Sequence, residues 1–173
     1  MKFYSGFSLQ NESCLFDTFI KKSDYNVCGF SYGAIKAFEY VKEQLACGKR
    51  VDTLQLFCPA FFQTKSQSFK KLQLRSFDKN KNIYIDRFID SCFSPHVRKT
   101  VEYSVATYDG LEELLFFEWS LPELQNLVDI GIKIEVYLGG KDKIIDVDGA
   151  RDFFKNVATL TYIKDANHFL QIN

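Results

Sequence analysis

The sequence predicts a single α/β domain with a mostly parallel central sheet and an inserted helical cap. Two observations indicate this fold class: short apolar strand segments alternate with amphipathic helical segments, and one long interval interrupts the alternation. The chain has 173 residues, of which 46% are hydrophobic and 16% aromatic, enough for one domain with a substantial core. We therefore expect residues 1–173 to form one domain.

The predicted elements follow the chain in order. A short strand at 3–7 precedes a helix over 12–22, with Asn11 as the helix-starting residue. A second strand at 25–28 leads through Gly29 into a helix that ends near Gly48. Further apolar strands are predicted at 51–57, 132–138 and 159–163. Strands that alternate with helices in this way indicate parallel pairing, with helices on both faces of the sheet.

The interval from about 63 to 126 interrupts this alternation and carries helical periodicity, which predicts the cap. Its charge is segregated, because basic residues dominate from Lys65 to Lys99 and no basic residue occurs from Glu102 to Asp129. We expect its aromatic residues to be mainly core, with some lining an acyl channel. They are Phe61, Phe62, Phe69, Phe116, Phe117 and Trp119.

A G-x-S-x-G pattern at 29–33 lies directly after a predicted strand and before a predicted helix. This is the context of the nucleophile elbow of α/β-hydrolases, in which small neighbours allow the strained serine turn. The pattern by itself is also compatible with an ordinary turn in which Ser31 caps a helix. As a nucleophile, Ser31 needs a base and an acid elsewhere in the chain.

His168 is the predicted base, because it follows the last strand in a loop that can reach the carboxyl edge of the sheet. His96, after Pro95 in the cap, is predicted to be a surface or channel residue. Asp142 follows the strand at 132–138 and is the predicted acid. The other nearby carboxylates better suit helix capping or a turn, and they are Asp146, Asp148 and Asp165. The order Ser31, Asp142, His168 is the order of this fold.

The oxyanion donors are predicted to be the backbone N–H groups of Tyr32 and Phe7. Tyr32 follows the nucleophile at the start of a helix, and Phe7 lies in the loop after the first strand, which is also compatible with a plain glycine turn. Cys28 is an alternative nucleophile by chemistry, but its place in a strand favours a buried apolar role. The resulting mechanism, acyl transfer to Ser31 and then to water, requires no metal and no organic cofactor.

Composition excludes several other classes of function. Twenty-two basic and twenty-two acidic residues balance, so no net charge draws the chain to nucleic acid or to a membrane surface. Two histidines and no CxxC pair argue against a structural zinc site. No leader or membrane-spanning pattern is recognised, and five scattered cysteines suit reduced thiols, so we expect a cytoplasmic protein.

With these motifs in place, the chain resembles the BioV-type pimeloyl-acyl-carrier-protein methyl ester esterases of biotin synthesis and, more distantly, the BioH and BioG esterases. The resemblance rests on the early elbow at 29–33, the segment 138–142 and the segment 166–169. It implies an α/β-hydrolase core and a carboxylesterase that removes the methyl group from pimeloyl-acyl-carrier-protein methyl ester. The usual His-Gly pair of the oxyanion loop is here Ser5-Gly6.

The acidic acyl-carrier protein is the partner that the resemblance implies, and the basic front half of the cap offers a surface for it. A solvated basic helix face with no partner explains the same charges equally well. The docking candidates are Lys70, Lys71, Arg75, Arg87, Arg98 and Lys99. A general short-acyl esterase or thioesterase, and a hydrolase-fold module that binds acyl carriers without catalysis, remain alternatives.

Overall fold

Seven strands occur in the computed structural model, which describes residues 1–173. They are β1 (Lys2–Tyr4), β2 (Leu9–Gln10), β3 (Asn26–Phe30), β4 (Thr53–Phe57), β5 (Glu102–Tyr103), β6 (Lys133–Gly139) and β7 (Thr159–Ile163). Five of them form a sheet in the order β1-β3-β4-β6-β7, and every pair in it is parallel. The two short strands β2 and β5 pair as a separate antiparallel ribbon. The predicted parallel α/β sheet is therefore confirmed.

Six α-helices connect or cover the strands: α1 (Tyr32–Ala46), α2 (Gln67–Lys79), α3 (Lys81–Phe93), α4 (Tyr108–Phe116), α5 (Leu121–Asp129) and α6 (Val147–Phe154). Polar side chains mark where five of them begin, because each accepts a hydrogen bond from the backbone N–H three residues later. These caps are Ser66, Asn80, Thr107, Ser120 and Asp146. No helix is both long and apolar enough to span a bilayer.

The central strands alternate between two faces, as a period of two residues requires. Side chains such as Val27, Leu54 and Val136 join the larger buried cluster, which α1, α5 and α6 complete on one face. On the opposite face Cys28 and Phe57 belong to a second, aromatic cluster with Phe16, Phe93 and Phe169. The site therefore rests on a sheet that is buried from both sides.

The prediction of a helix over 12–22 is wrong. A 3-10 turn spans only Glu12–Phe16, and Asn11 is left-handed with a φ of 61° and caps nothing. Its amide instead donates to the Glu102 carboxylate across the ribbon at 2.7 Å. Phe16 is fully buried against Phe57 with ring centroids 4.9 Å apart, so tertiary packing has overridden the local helix signal here. This face of the sheet is thus covered by the turn, the end of α3 and the chain terminus.

The interval 63–126 contains α2, α3, α4 and the start of α5, together with β5. Its helices are attached to the sheet by buried side chains: Ile89 and Phe93 of α3 lie in the aromatic cluster, and Leu111 and Leu114 of α4 lie in the larger one. The interval is therefore continuous with the core of the chain.

Candidate active site

The predicted site residues come together at the carboxyl edge of the sheet. Ser31 follows β3 directly, Cys58 follows β4, and Asp142 lies in the loop after β6. His168 lies in the loop after β7, and Phe7 in the loop after β1. Because all five strands are parallel, these loops converge, which is the usual location of a site in such a sheet.

Ser31 occupies a strained turn between β3 and α1. Its φ is 52° and its ψ −114°, a conformation that side-chain-bearing residues rarely adopt. The flanking glycines explain why the turn fits: a Cβ on Gly29 would lie 2.3 Å from the Gly33 carbonyl oxygen, and a Cβ on Gly33 would lie 2.0 Å from the Tyr4 carbonyl oxygen. The strand, the helix and the loop after β1 can approach this closely only without those side chains.

A chain of hydrogen bonds joins the three predicted triad residues. His168 Nε2 lies 2.9 Å from Ser31 Oγ, and His168 Nδ1 lies 2.5 Å from Asp142 Oδ2. The side chains of Asp142 and His168 are fully buried, and Ser31 is 2% exposed. The remaining carboxylate oxygen of Asp142 accepts from the Ile144 N–H at 2.7 Å, so the acid is held from both ends.

The loops that carry the acid and the base interlock. The Lys141 N–H donates to the Ala166 carbonyl at 2.8 Å, and a Cβ on Gly139 would lie 2.2 Å from the Asn167 carbonyl oxygen. Asn167 is buried, donates to the Phe93 carbonyl and accepts from the Phe169 N–H. Asn167 therefore holds the His168 loop through both ends of its amide, a role that was not predicted from the sequence.

The two predicted oxyanion amides have no acceptor within the chain. The N–H groups of Phe7 and Tyr32 appear in no hydrogen bond, whereas the neighbouring Gly6 N–H donates to Glu12 at 2.6 Å. The Phe7 and Tyr32 rings pack edge to face with centroids 6.3 Å apart, so the two loops lie together. Tyr32 also donates through its hydroxyl to Glu113 at 2.5 Å, which ties α1 to α4.

Two buried groups beside the site were not identified from the sequence. Glu12 lies in the segment predicted as a helix, but the residue is 2% exposed and its carboxyl group lies against the loop after β1. Cys58 follows β4 and is fully buried; burial, and next the negative charge of Asp142, raise the pKa of its thiol well above the ordinary value. The signal for Cys58 was its place at the carboxyl end of a parallel strand.

Cys58, Asp142 and His168 present possible metal-ligand atoms within 4.8 Å of one another. A metal would require the thiolate of Cys58, which burial disfavours, and a free imidazole nitrogen of His168. Both nitrogens of His168 already face hydrogen-bond partners. We therefore assign this grouping to the triad, with Cys58 as an uncharged neighbour of Asp142.

The rival acids serve other purposes. Asp146 caps α6 by accepting from the Gly149 N–H at 3.2 Å. Asp148 pairs with Arg151 at 3.1 Å, and Asp165 pairs with Lys141 at 2.9 Å. None of these carboxylates forms a hydrogen bond with His168, so Asp142 is the carboxylate that contacts the predicted base.

The other candidate base and nucleophile also lie outside the triad. His96 Nε2 lies 2.8 Å from the Asp165 carbonyl oxygen. Cys28 is completely buried in β3, and burial raises the pKa of its thiol to about 12. A thiol with so high a pKa is a poor nucleophile.

A cavity of about 730 Å³ lies between α2, α3 and α4. Apolar side chains such as Phe69, Phe88 and Leu115 line it, together with Lys79, Arg87 and Lys143 and no carboxylate. Two of its lining residues connect it to the site: the Phe88 ring lies 5.9 Å from the Phe7 ring, centroid to centroid, and the Ile144 N–H donates to Asp142. Its size is that of a small-molecule site.

The predicted docking residues do not all form one exposed surface. Lys71, Arg75 and Lys99 are exposed, and Arg87 is exposed at the cavity. The prediction that Lys70 is a docking residue is wrong. Lys70 is 2% exposed, and its ammonium group lies 5.1 Å from the Phe116 ring centroid, so packing removes it from the surface. Arg98 is held by Asp86, Asp90 and Tyr103, which neutralise it locally.

No protein-family model matches the sequence, and no curated protein matches it by sequence similarity. Solved structures do match. An esterase from Exiguobacterium antarcticum is 16% identical with a TM-score of 0.59, covering 82% of this chain and 58% of its own. A hydrolase from Oleispira antarctica, olei00960, is 14% identical with a TM-score of 0.60, covering 85% and 59%. BioG from Haemophilus influenzae is 11% identical with a TM-score of 0.53, covering 97% and 87%.

These likenesses show the fold: the chain has an α/β-hydrolase fold, and its elbow and hydrogen-bonded Ser-His-Asp arrangement are those expected of that fold. This chain spans about three fifths of the length of the first two structures, and most of the length of BioG. At these identities the likenesses define a structural class, and what the chain does is argued from its own site.

Proposed function

We propose that this protein is a serine carboxylic ester hydrolase with Ser31 as nucleophile, His168 as general base and Asp142 as the acid that orients the base. The observation that carries the proposal is the unbroken pair of hydrogen bonds, 2.9 Å from Ser31 Oγ to His168 Nε2 and 2.5 Å from His168 Nδ1 to Asp142 Oδ2. With Nδ1–H donating to the acid, Nε2 is free to accept the serine proton. This is the tautomer that activates a hydroxyl.

The reaction follows from that arrangement. His168 takes the proton of Ser31 while Oγ attacks the ester carbonyl, and the N–H groups of Phe7 and Tyr32 hold the resulting oxyanion. His168 then returns the proton to the departing alkoxide, which leaves as the alcohol. Water, activated by His168 in the same way, releases the acid from Ser31.

For the substrate, we propose pimeloyl-acyl-carrier-protein methyl ester, hydrolysed to the free carboxylate and methanol. The sequence resemblance supports this choice, and so does the likeness to BioG, which extends over 97% of this chain. The cavity connected to the site through Phe88 and Ile144 also supports it. Its apolar walls suit an acyl chain, and the unpaired charges of Lys79, Arg87 and Lys143 suit an anionic carrier or its phosphate group.

Hydrolysis of the carrier-linked methyl ester by the purified protein tests the proposal, with a free short-chain methyl ester in parallel. We expect Ser31→Ala to lower kcat by about 10⁴-fold or more, because the hydroxyl is the attacking group. Ser68→Ala is the matched control, since Ser68 is an exposed serine of α2. A serine-directed phosphonate should label the parent protein and the control at one site, and should leave the Ser31→Ala variant unlabelled.

The outcomes separate the alternatives. Turnover that depends on Ser31 and favours the carrier-linked ester supports the full proposal. Cleavage of only the free ester would leave a general esterase and remove the carrier from the proposal. Absence of both turnover and labelling would contradict hydrolysis and leave a binding module of the same fold.

A further inference from the structure

Glu12 is a buried carboxyl group that the mechanism above does not use. Its side chain lies against the loop after β1, where Oε1 accepts the Gly6 N–H at 2.6 Å. The other oxygen, Oε2, is buried with no hydrogen-bond partner. A buried acid with one free oxygen costs stability, so its presence at this position needs an explanation other than packing.

The loop that Glu12 contacts is under strain and in tight contact on two other sides. Ser8 in this loop has a φ of 62°, in the left-handed region. A Cβ on Gly6 would lie 2.8 Å from the Phe30 ring, and the Tyr4 carbonyl contacts Gly33 at the elbow. The conformation of this loop therefore depends on what holds it, and Glu12 is its only buried side-chain anchor at Gly6.

Two neighbouring amides of this loop differ in their partners. With the Gly6 N–H committed to Glu12, the next N–H, that of Phe7, remains without an acceptor in the chain. We propose that Glu12 is a positioning residue: it holds Gly6 so that the Phe7 N–H faces the oxyanion formed on Ser31. This role rests on the proposed ester hydrolysis, which supplies the oxyanion.

The charge of Glu12 is compatible with this role. Burial raises the pKa of its carboxyl group above the ordinary value, against the opposing effects of the Gly6 N–H, its own N–H and the Ser5 side chain. Oε1 accepts the Gly6 N–H whether or not Oε2 carries a proton, so the anchor survives neutralisation. A neutral anchor would also add no negative charge beside the oxyanion.

Two variants test the role. Glu12→Ala removes the acceptor, and we expect kcat on a free methyl ester to fall about 10- to 100-fold with KM changed less than about twofold, because a displaced oxyanion amide acts only in the transition state. Glu12→Gln keeps an amide oxygen for Gly6, and we expect its kcat to stay within about threefold of the parent. Leu124→Ala is the control for lost stability, since Leu124 is fully buried in α5 on the other face of the sheet.

A boronic acid that forms a tetrahedral adduct on serine gives a second readout. Its affinity should fall in Glu12→Ala by the same factor as kcat/KM, while the affinity for the carboxylic acid product is unchanged. A purely structural role would instead lower the folded fraction in Glu12→Ala and Leu124→Ala alike, and would leave kcat per folded molecule intact. That result, or equal damage by Glu12→Gln and Glu12→Ala, would overturn the proposal.

The wild-type protein separates this inference from the function on which it rests. Absence of Ser31-dependent turnover in the wild type would overturn both. Normal turnover in the wild type together with an unimpaired Glu12→Ala variant would overturn only the positioning role.

Discussion

Replacing Asp142 by asparagine should disable the site while leaving its shape intact. Asp142 accepts two kinds of hydrogen bond, one from the Ile144 N–H at Oδ1 and one from His168 Nδ1 at Oδ2. An asparagine has a single acceptor oxygen, so satisfying Ile144 turns its NH₂ group toward His168. His168 must then place its own proton on Nε2, where it faces Ser31 and can no longer act as a base.

The expected loss follows from the tautomer. The same substitution in Ser-His-Asp proteases lowers kcat about 10⁴-fold, equivalent to about 5 kcal/mol of transition-state stabilisation, and we expect a similar loss here. Because side-chain volume and the Ile144 contact are retained, the denaturation midpoint should change little. Steady-state hydrolysis of a methyl ester and the rate of phosphonate labelling should fall by similar factors, since both steps need the same base.

Asp146→Asn is the matched control. Asp146 is the neighbouring acid on the same loop, but it caps α6, and asparagine is an equally good cap. We expect its turnover to stay within about threefold of the parent, as a substitution remote from the base should. An Asp142→Asn variant that retained a tenth or more of the parent activity would refute the assignment of the acid. So would an Asp146→Asn variant whose activity fell as far as that of Asp142→Asn.

Three further predictions address the elbow, the cavity and the buried acid. Gly33→Ala should lower the free energy of unfolding, measured in urea, by about 3 kcal/mol or more, because the added Cβ would lie 2.0 Å from a backbone carbonyl oxygen. Gly48 has a φ of 68° and open space around it, so Gly48→Ala should lower the same free energy by only about 1–2 kcal/mol. Arg87→Glu should raise KM for the carrier-linked ester about tenfold and leave KM for the free ester unchanged. Lys49 is exposed beyond the far end of α1, and Lys49→Glu should change neither KM. Equal KM changes for both esters in Arg87→Glu would contradict docking at the cavity. The pKa of the Glu12 carboxyl group is raised, so the folded state binds a proton more tightly than the unfolded state, and the free energy of unfolding should decrease as pH rises from 4.5 through the folded pKa. Denaturation of the wild type and of Glu12→Gln at several pH values should isolate this dependence of stability on pH. Identical slopes in the two proteins would contradict the prediction.

The parallel sheet was predictable because its strands carry a strong local signal. β3, β4 and β6 are short, mostly apolar segments bounded by turn residues, and α1 shows helical spacing from its first turn. The convergence of Ser31, Asp142 and His168 could also be predicted, since each follows a strand whose carboxyl end lies at the same edge of the sheet. Distances between their side chains depend on loops and became apparent only in the structure.

The features that were missed depend on contacts between distant parts of the chain. The segment after Asn11 has local signals for a helix, but Phe16 is drawn into the aromatic cluster and the segment forms only a short turn. Lys70 looked like one more surface cation, yet helix packing buries it beside Phe116. Glu12 gave no sequence signal as an anchor, because its partner Gly6 is identified only by the path of the loop.

The strained backbone conformation of Ser31 is held in place by hydrogen bonds to the neighbouring strand, loop and helix. A left-handed serine costs about 1–3 kcal/mol, and three backbone hydrogen bonds hold it: its N–H donates to the Phe57 carbonyl at 2.9 Å, and its carbonyl accepts from Ala34 and Ala60 at 3.1 Å each. Phe57 is the last residue of β4, the strand beside β3, and Ala60 lies in the loop that follows it, so the elbow is anchored to the sheet as well as to its own helix. The nucleophile therefore keeps its orientation even where the neighbouring loop after β1 depends on Glu12. For this reason loss of the Glu12 anchor should impair oxyanion binding and leave the serine itself reactive.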